Sequence, residues 1–263
     1  MPSGVPGGAS GFVEVSRSDS VLYVTLDRPE KRNALSLAMQ EDIARAMSWA
    51  SDSDEVRAVV LRSSSEGAFC AGIDLAETAG AERLPDPAVA AEPSLFETVL
   101  SCPKPTLAVL AGWVVGGGLE LALACDLRIA DDSALLGLPE AKRGMGAHFG
   151  AHLLFRTVAR GEAFRLLYTG EPISAAQAFR IGLVSEVVRV GELDGAAEAL
   201  IRGIVANAPL TLRRYKAVAG SLSEMPLRAA LHVPISPSPY GSEDRLEGVN
   251  AFLEKRIPVW RGR

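Results

Sequence analysis

Two glutamates of the chain are candidates for proton transfer. Glu120 follows the glycine run of AGWVVGGGLELALACD (residues 111–126), and on a helix its neighbours three and four positions away are all glycine, leucine or alanine. A carboxylate set in such an apolar surface has a raised pKa or a specific partner. Glu140 follows in GLPEAKRGMG. Two carboxylates in one cleft would supply an acid and a base, although the spacing does not show that they meet and each could be structural.

The glycine run itself indicates a turn in which the backbone approaches another group closely. Gly116, Gly117 and Gly118 precede an alanine- and leucine-rich helix, and free N–H groups at a helix N-terminus favour negative charge. The pattern fits neither the dinucleotide-binding GxGxxG nor the phosphate-binding GxxxxGK[ST] motif. A strand-to-helix turn packed tightly for structural reasons is the alternative.

A second turn with small residues lies in GAFCAGIDL (residues 67–75). Its glycines and alanines allow close approach, and Ile73 and Asp74 would leave the turn with free amides. A buried turn beside a core Phe69 explains the same residues equally well.

The elements that must position these residues alternate between strand and helix. Residues 12–17 and 21–26 read as a hairpin, and Ser36 can cap the helix that follows. Further strands are predicted at residues 56–61, 106–110 and 127–130, with the glycine turn and short helix between the last two. This alternation predicts an α/β fold with a mostly parallel sheet.

Other segments show weaker or purely helical patterns. We expect residues 1–11 to form a disordered tail and residues 76–93 to form a mobile loop with at most a helical turn. Beyond about residue 145 helices dominate, beginning with a capping box at Ser174 and Gln177.

The composition excludes several classes of protein. A net charge of −5 over 263 residues, without a basic block, argues against nucleic-acid binding. Cys70, Cys102 and Cys125 fit neither a disulfide framework nor a metal motif, which favours a reducing compartment. With no apolar run of membrane-spanning length and no signal peptide in the pattern, we expect a soluble, cytoplasmic protein that does not bind membranes.

Taken together, the motifs resemble the enoyl-CoA hydratase/isomerase (crotonase) superfamily. The likeness is carried by RPEKRNAL (28–35), GAFCAGIDL, GGGLELALACD, LPE, TGEPISAAQAFRIGLV (169–184) and SEDRLEGVNAFLEKR (242–256). It implies a ClpP-like spiral of ββα units around two near-perpendicular sheets. It further implies a core with the CoA and acyl site over residues 12–195, and a C-terminal helical region over 196–263 that assembles homotrimers or hexamers, which are dimers of trimers.

The resemblance also implies a reaction and its catalytic groups. The backbone amides of Ile73 and Gly117 match the family's oxyanion hole, which polarises the carbonyl of an acyl-CoA thioester. Glu120 and Glu140 match the two glutamates of its hydratases, where the first takes a proton from the attacking water and the second delivers one to C2. The implied activity is hydration of a trans-2-enoyl-CoA to a 3-hydroxyacyl-CoA, with no cofactor besides the substrate's coenzyme A and no metal.

The same resemblance predicts which residues bind the CoA moiety. They comprise basic side chains for the nucleotide end and backbone of the two turns: Arg28, Lys31, Arg32, Ala71, Gly72, Ile73, Asp74, Leu75, Gly116, Gly117 and Lys255. The basic side chains could equally form an ordinary solvated face.

Some residues depart from the family pattern and keep other activities open. His148 and His152 replace part of a glycine-rich segment near the site, Ala111 stands where asparagine is common, and Tyr240 lies in a proline-rich stretch. An isomerase or another acyl-CoA lyase is the nearest alternative, and a non-catalytic acyl-CoA-binding subunit is a further one. A serine peptidase using a histidine lacks the GxSxG motif.

Overall fold

The computed structural model describes residues 5–79 and 86–263. Strands and helices alternate through most of the chain, and helices predominate towards its C-terminus. The strands are β1 (Val13–Ser18), β2 (Val21–Leu26), β3 (Ala58–Ser63), β4 (Ala68–Cys70), β5 (Thr106–Leu110), β6 (Trp113–Val115), β7 (Leu127–Asp131), β8 (Leu135–Gly137), β9 (Ile173–Ser174) and β10 (Glu186–Val188). The α-helices are α1 (Leu37–Asp52), α2 (Leu75–Thr78), α3 (Leu95–Leu100), α4 (Gly117–Ala124), α5 (His148–Thr157), α6 (Arg160–Thr169), α7 (Ala175–Arg180), α8 (Leu193–Val205), α9 (Pro209–Ala217), α10 (Leu227–Ala230) and α11 (Glu243–Glu254).

The first sheet has the order β1-β2-β3-β5-β7-β10, and only its β1–β2 hairpin is antiparallel. The predicted hairpin and mostly parallel sheet are therefore confirmed. Ser36 caps α1 by accepting a hydrogen bond from the Met39 amide at 3.2 Å, as expected. The third strand begins at Ala58, two residues after the predicted start, and β10 was not predicted.

A second sheet, of order β4-β6-β8-β9, was missed by the sequence analysis. Its strands have two or three residues each, too few to show an alternating pattern. The β4–β6 and β6–β8 pairs are parallel, so these three strands end at the same edge of the sheet. The turns that follow them, which begin at Ala71, Gly116 and Leu138, are therefore brought together.

Helix α4 lies in the interior, because all of its residues are buried. The close approach of this helix to β4 requires glycine, since a Cβ on Gly118 would lie 2.3 Å from the carbonyl oxygen of Cys70. Leu119, Leu121 and Leu123 belong to the main hydrophobic core. The predicted short helix after the glycine turn is confirmed, and its burial fixes the position of Glu120.

The termini differ in detail from the expected organisation. Within the part of the predicted tail that is described, the amides of Ala9 and Ser10 donate to the Asp42 carboxylate at 3.0 and 2.9 Å, so this segment is anchored on α1. Part of the predicted loop at 76–93 lies outside the described residues, and the rest contains the end of α2 and a 3₁₀ turn, Pro87–Val89. Ala197 and Ile201 of α8 pack on the first sheet, so the core continues past residue 195.

Candidate active site

The two turns predicted to carry catalytic amides lie side by side. Gly72 and Gly116 have φ values of 98° and 58°, a left-handed backbone that glycine adopts without strain. A Cβ on Gly72 would lie 3.3 Å from the Gly117 nitrogen, and one on Gly117 would lie 3.3 Å from the Ile73 nitrogen. The structure therefore brings the amides of Ile73 and Gly117 together, although β4 and β6 are far apart in sequence.

Both amides have free hydrogen-bonding capacity. In the described part of the chain neither the Ile73 nor the Gly117 N–H donates a hydrogen bond, whereas the Gly116 amide donates to the Gly137 carbonyl at 2.9 Å. Gly117 is the first residue of α4, where an N–H has no intrahelical acceptor and the helix dipole is positive. The two N–H groups can together donate hydrogen bonds to one oxygen that carries negative charge.

Glu120 is held inside the protein by the start of α5. Its side chain belongs to a residue that is only 7 % exposed, and its Oε1 accepts a hydrogen bond from the Gly150 amide at 2.7 Å. The pKa of Glu120 is raised to about 7, chiefly by burial and also by the nearby Glu140, against the opposing effect of the Gly150 and Phe149 amides. This carboxyl group can gain and lose a proton near neutral pH.

Glu140 reaches the same region from the 3₁₀ helix Pro139–Arg143, which begins with the predicted N-terminal proline. A Cβ on Gly116 would lie 3.0 Å from its Oε1, so its carboxyl group lies against the glycine turn. Its Oε2 is buried and has no hydrogen-bond partner among the described residues. Burial raises the pKa of Glu140, while its own backbone amide and Arg143 oppose the rise.

These groups share one cavity of about 1110 Å³, a size typical of small-molecule sites. Ile73, Gly117, Glu120 and Glu140 all line it, so the structure brings the two glutamates to one cavity. Part of the cavity wall is apolar and aromatic. It contains Phe96 and Phe149, whose rings stack with their centroids 5.4 Å apart.

Of the residues predicted to bind CoA through their backbone, all except Asp74 line the cavity. Ala71, Gly72, Leu75 and Gly116 line the cavity together with the catalytic candidates. Asp74 does not line it. Its carboxylate instead caps α2 by accepting from the Ala76 amide at 3.1 Å, which gives it a structural role.

The basic side chains predicted to bind CoA lie outside the cavity lining. The side chain of Arg28 is 13 % exposed. It donates to the Asp74 carboxylate at 2.7 Å and to the Ala34 carbonyl at 3.1 Å, so it holds the loop before α1 against the turn at Asp74. Lys31 and Arg32 are exposed beside it, and the Arg32 carbonyl accepts from the Ala71 amide at 2.9 Å. Lys255 caps the C-terminus of α11 and is not brought to the cavity.

His148 and His152 line this cavity, whereas Tyr240 lies elsewhere. His148 and His152 line the cavity with ring centroids 5.1 Å apart, but in the described part of the chain no serine hydroxyl bonds to either imidazole. Tyr240 lines a separate cavity of about 660 Å³ at the C-terminal helices, where the Arg214 guanidinium lies 5.5 Å from its ring centroid. Only the histidines therefore belong to the candidate active site.

Three contributions to the site were missed from the sequence. The Phe149 and Gly150 amides position Glu120, Phe96 of α3 supplies a wall, and Arg143 lines the cavity beside Glu140. The Ser94-x-x-Glu97 capping box marks the start of α3, so this helix could have been predicted from the sequence. The amides carry no sequence signal, because any residue except proline has one.

The raised pKa of Glu120 predicts a pH-dependent cost in stability. Its pKa is near 4.5 when unfolded and about 7 when folded, so stability is lost as the pH rises through this interval. Relative to the wild type, Glu120→Gln should gain roughly 3 kcal/mol of unfolding free energy between pH 4 and pH 8. Urea unfolding at a series of pH values measures the difference.

The control is Glu66→Gln, which removes the charge of an exposed glutamate. The Glu66→Gln measurement supplies the background effect of a glutamate-to-glutamine change at an exposed position, against which the Glu120→Gln result is compared. A Glu120→Gln difference that stays constant with pH would contradict the assigned pKa.

Comparison with solved structures identifies the fold class. An enoyl-CoA hydratase from Bacillus anthracis superposes with a TM-score of 0.86 and 33 % identity, over 96 % of this chain and all of the other. An enoyl-CoA hydratase from Mycobacterium marinum gives the same TM-score at 31 % identity, over 96 % and 99 %. The fold is that of the crotonase superfamily, and the mixed α/β spiral with a helical C-terminal region is confirmed.

Sequence comparisons give the family. The family model described as enoyl-CoA hydratase/isomerase matches residues 16–263, so the chain belongs to that family. The putative enoyl-CoA hydratase/isomerase YngF of Bacillus subtilis is 36 % identical over 94 % of this chain and 96 % of its own. The (E)-benzylidenesuccinyl-CoA hydratase of Thauera aromatica is 36 % identical over 95 % and 99 %, and the carnitinyl-CoA dehydratase of Salmonella typhi is 34 % identical over 97 % and 100 %.

Proposed function

We propose that the protein is an enoyl-CoA hydratase, which adds water in syn fashion to a trans-2-enoyl-CoA thioester and gives a 3-hydroxyacyl-CoA. The observation that carries this proposal is the presence of a buried glutamate, Glu120, a half-buried glutamate, Glu140, and a pair of free amides in one cavity. Similar proteins named as a hydratase and a dehydratase support it. The family, enoyl-CoA hydratase/isomerase, also includes isomerases by its name.

The amides of Ile73 and Gly117 would form the oxyanion hole. Addition of water to C3 moves an electron pair through C2 to the thioester oxygen, where negative charge develops. Two donors fixed beforehand stabilise this charge without reorganisation, and deletion of one such donor in other enzymes costs roughly 3 to 4 kcal/mol. The positive end of α4 acts in the same direction.

The two glutamates would divide the proton transfers. Glu120, whose pKa of about 7 leaves it partly ionised, takes a proton from water as the oxygen bonds to C3. Glu140, whose pKa is raised by burial, would give a proton to C2 as the enolate collapses. One water is consumed, and return of the proton from Glu120 to Glu140, directly or through solvent, restores the starting state.

The proposed substrate brings its own coenzyme A, and no other cofactor or metal has a role. The backbone of Ala71, Gly72 and Leu75 would hold the thioester arm, with the exposed Lys31 and Arg32 nearer the nucleotide. Arg28 and Asp74 would act by holding this loop through their ion pair. Lys255 would reach the nucleotide only in an arrangement that this single chain does not contain.

We also propose that the chain assembles as a homotrimer or a dimer of trimers through its C-terminal helices. Val249, Phe252 and Leu253 of α11 are 49, 82 and 72 % exposed, and large exposed apolar surfaces mark interaction sites. No helix among the described residues is long and apolar enough to span a membrane. The cytoplasm is the proposed location, which fits the free, buried state of Cys70 and Cys125.

The test is a panel of short, medium and aromatic 2-enoyl-CoA thioesters, followed by loss of the absorbance of the conjugated enoyl group. We expect hydration of at least one class, with the 3-hydroxyacyl product identified by mass. Exchange of deuterium at C2 without net addition of water would instead identify an isomerase. Binding of every thioester without turnover would identify a non-catalytic subunit.

A further inference from the structure

Arg143 is an exposed cation that lines the cavity and makes no ion pair with a carboxylate of the described residues. Among the described residues that line this cavity, Lys216 pairs with Asp126 at 2.8 Å and Arg156 donates to Glu224 at 2.7 Å. Arg143 makes only a long contact of 3.4 Å from its Nη1 to the Pro139 carbonyl. Its guanidinium is therefore free to bind an anion, and it is built for planar, bidentate recognition of carboxylates.

The local helix places this cation beside the reacting atoms. In a 3₁₀ helix the side chains of residues three apart eclipse each other, so Arg143 and Glu140 share one face of Pro139–Arg143. Both line the cavity, and the Arg143 charge acts on the Glu140 carboxyl group. Lys142 lies outside the lining and pairs with Glu171 instead.

Several of the other lining residues do not favour an anion. Phe96, Phe149 and Leu153 are apolar, and a carboxylate against them would lose hydration without gaining a partner. Glu97 adds negative charge on the α3 side, where its side chain is already used in the capping box. Besides the imidazoles of His148 and His152, Arg143 is the group in the described lining that remains available to pair with a carboxylate on the substrate.

We propose that the acyl group of the substrate carries a carboxylate and that Arg143 binds it. The proposal rests on the enoyl-CoA hydratase function, because Glu140 then lies at C2 and Arg143 lies beside the acyl chain. The substrate class is a dicarboxylic enoyl thioester whose second carboxylate is a few bonds beyond C3. Arg143 is thus a specificity-determining residue that does not take part in proton transfer.

Binding of two saturated, unreactive thioesters of equal chain length tests this inference separately from catalysis. Glutaryl-CoA and pentanoyl-CoA differ only in a terminal carboxylate in place of a methyl group, and calorimetry gives the Kd of each. In Arg143→Met the ratio of the glutaryl Kd to the pentanoyl Kd should rise about 10- to 100-fold over the wild type, the effect of one charged hydrogen bond. Lys142→Met, which removes the adjacent charge outside the cavity, should leave this ratio unchanged.

Two results would overturn the inference. An equal loss of affinity for both thioesters in Arg143→Met would show that the guanidinium binds a phosphate of coenzyme A instead. Unchanged affinity for both would show that it binds neither anion. Turnover of glutaconyl-CoA and pent-2-enoyl-CoA by the wild type is measured in parallel, so absence of hydration would count against the proposed function while the binding ratios still decide the role of Arg143.

Discussion

Replacement of Glu140 by glutamine should lower kcat for hydration of crotonyl-CoA by about 10²- to 10⁴-fold, the usual contribution of a general acid or base. The side chains have nearly the same shape, and Glu140 Oε2 makes no protein hydrogen bond that the substitution would break. Because the amide cannot deliver a proton to C2, the chemical step is lost while the cavity keeps its form. The Kd of saturated butanoyl-CoA should change little.

A second readout separates this role from a structural one. In the wild type, kcat should fall as the pH rises through the pKa of Glu140, which burial raises, because only the protonated carboxyl group can deliver a proton to C2. The residual activity of Glu140→Gln should lack this decline, because glutamine does not titrate.

The control for Glu140→Gln is Glu224→Gln, which removes a carboxylate from the same cavity. Glu224 is exposed and pairs with Arg156, away from the proposed proton transfers. Its kcat should remain within a few-fold of the wild type. Undiminished turnover in Glu140→Gln would remove this residue from the mechanism.

Local patterns in the sequence predicted the elements that carry the chemistry. The apolar surroundings of Glu120 on a short helix indicated a buried carboxylate, and α4 confirms both the helix and the burial. The turn at Gly116 was predicted because three successive glycines are costly unless the backbone needs them. These inferences depend on residues within about one turn of each other.

The meeting of the two turns could not be derived from the same patterns. It depends on the parallel pairing of β4, β6 and β8, and strands of three residues give no periodic signal. The expectation that Ile73 and Gly117 lie together came from resemblance to a family. Likewise, the nearly complete burial of the Arg28 and Asp74 pair depends on tertiary contacts, so one basic side chain expected near the ligand, Arg28, holds the loop structure instead.

The proposed oxyanion hole can be tested by removing one backbone N–H without changing any catalytic side chain. Gly117 is the first residue of α4, a position where proline is well tolerated because its nitrogen has no intrahelical acceptor. Gly117→Pro removes the N–H and places a ring carbon where the substrate oxygen would bind. We expect kcat/KM to fall at least about 10²-fold relative to Gly117→Ala, as for loss of an oxyanion donor.

Gly117→Ala is the matched control because it retains the N–H and adds a Cβ in the same place. That Cβ would lie 3.2 Å from the Ile73 side chain and 3.3 Å from its nitrogen, so both variants share the crowding caused by the Cβ, and the proline adds the rest of its ring. Thermal unfolding should show similar stability for the two, which leaves the N–H and the space in front of it as the difference. If the proline and alanine variants hydrate crotonyl-CoA equally well, the charge that forms on the thioester oxygen is stabilised elsewhere, and Gly117 serves only the packing of α4 against the Ile73 turn.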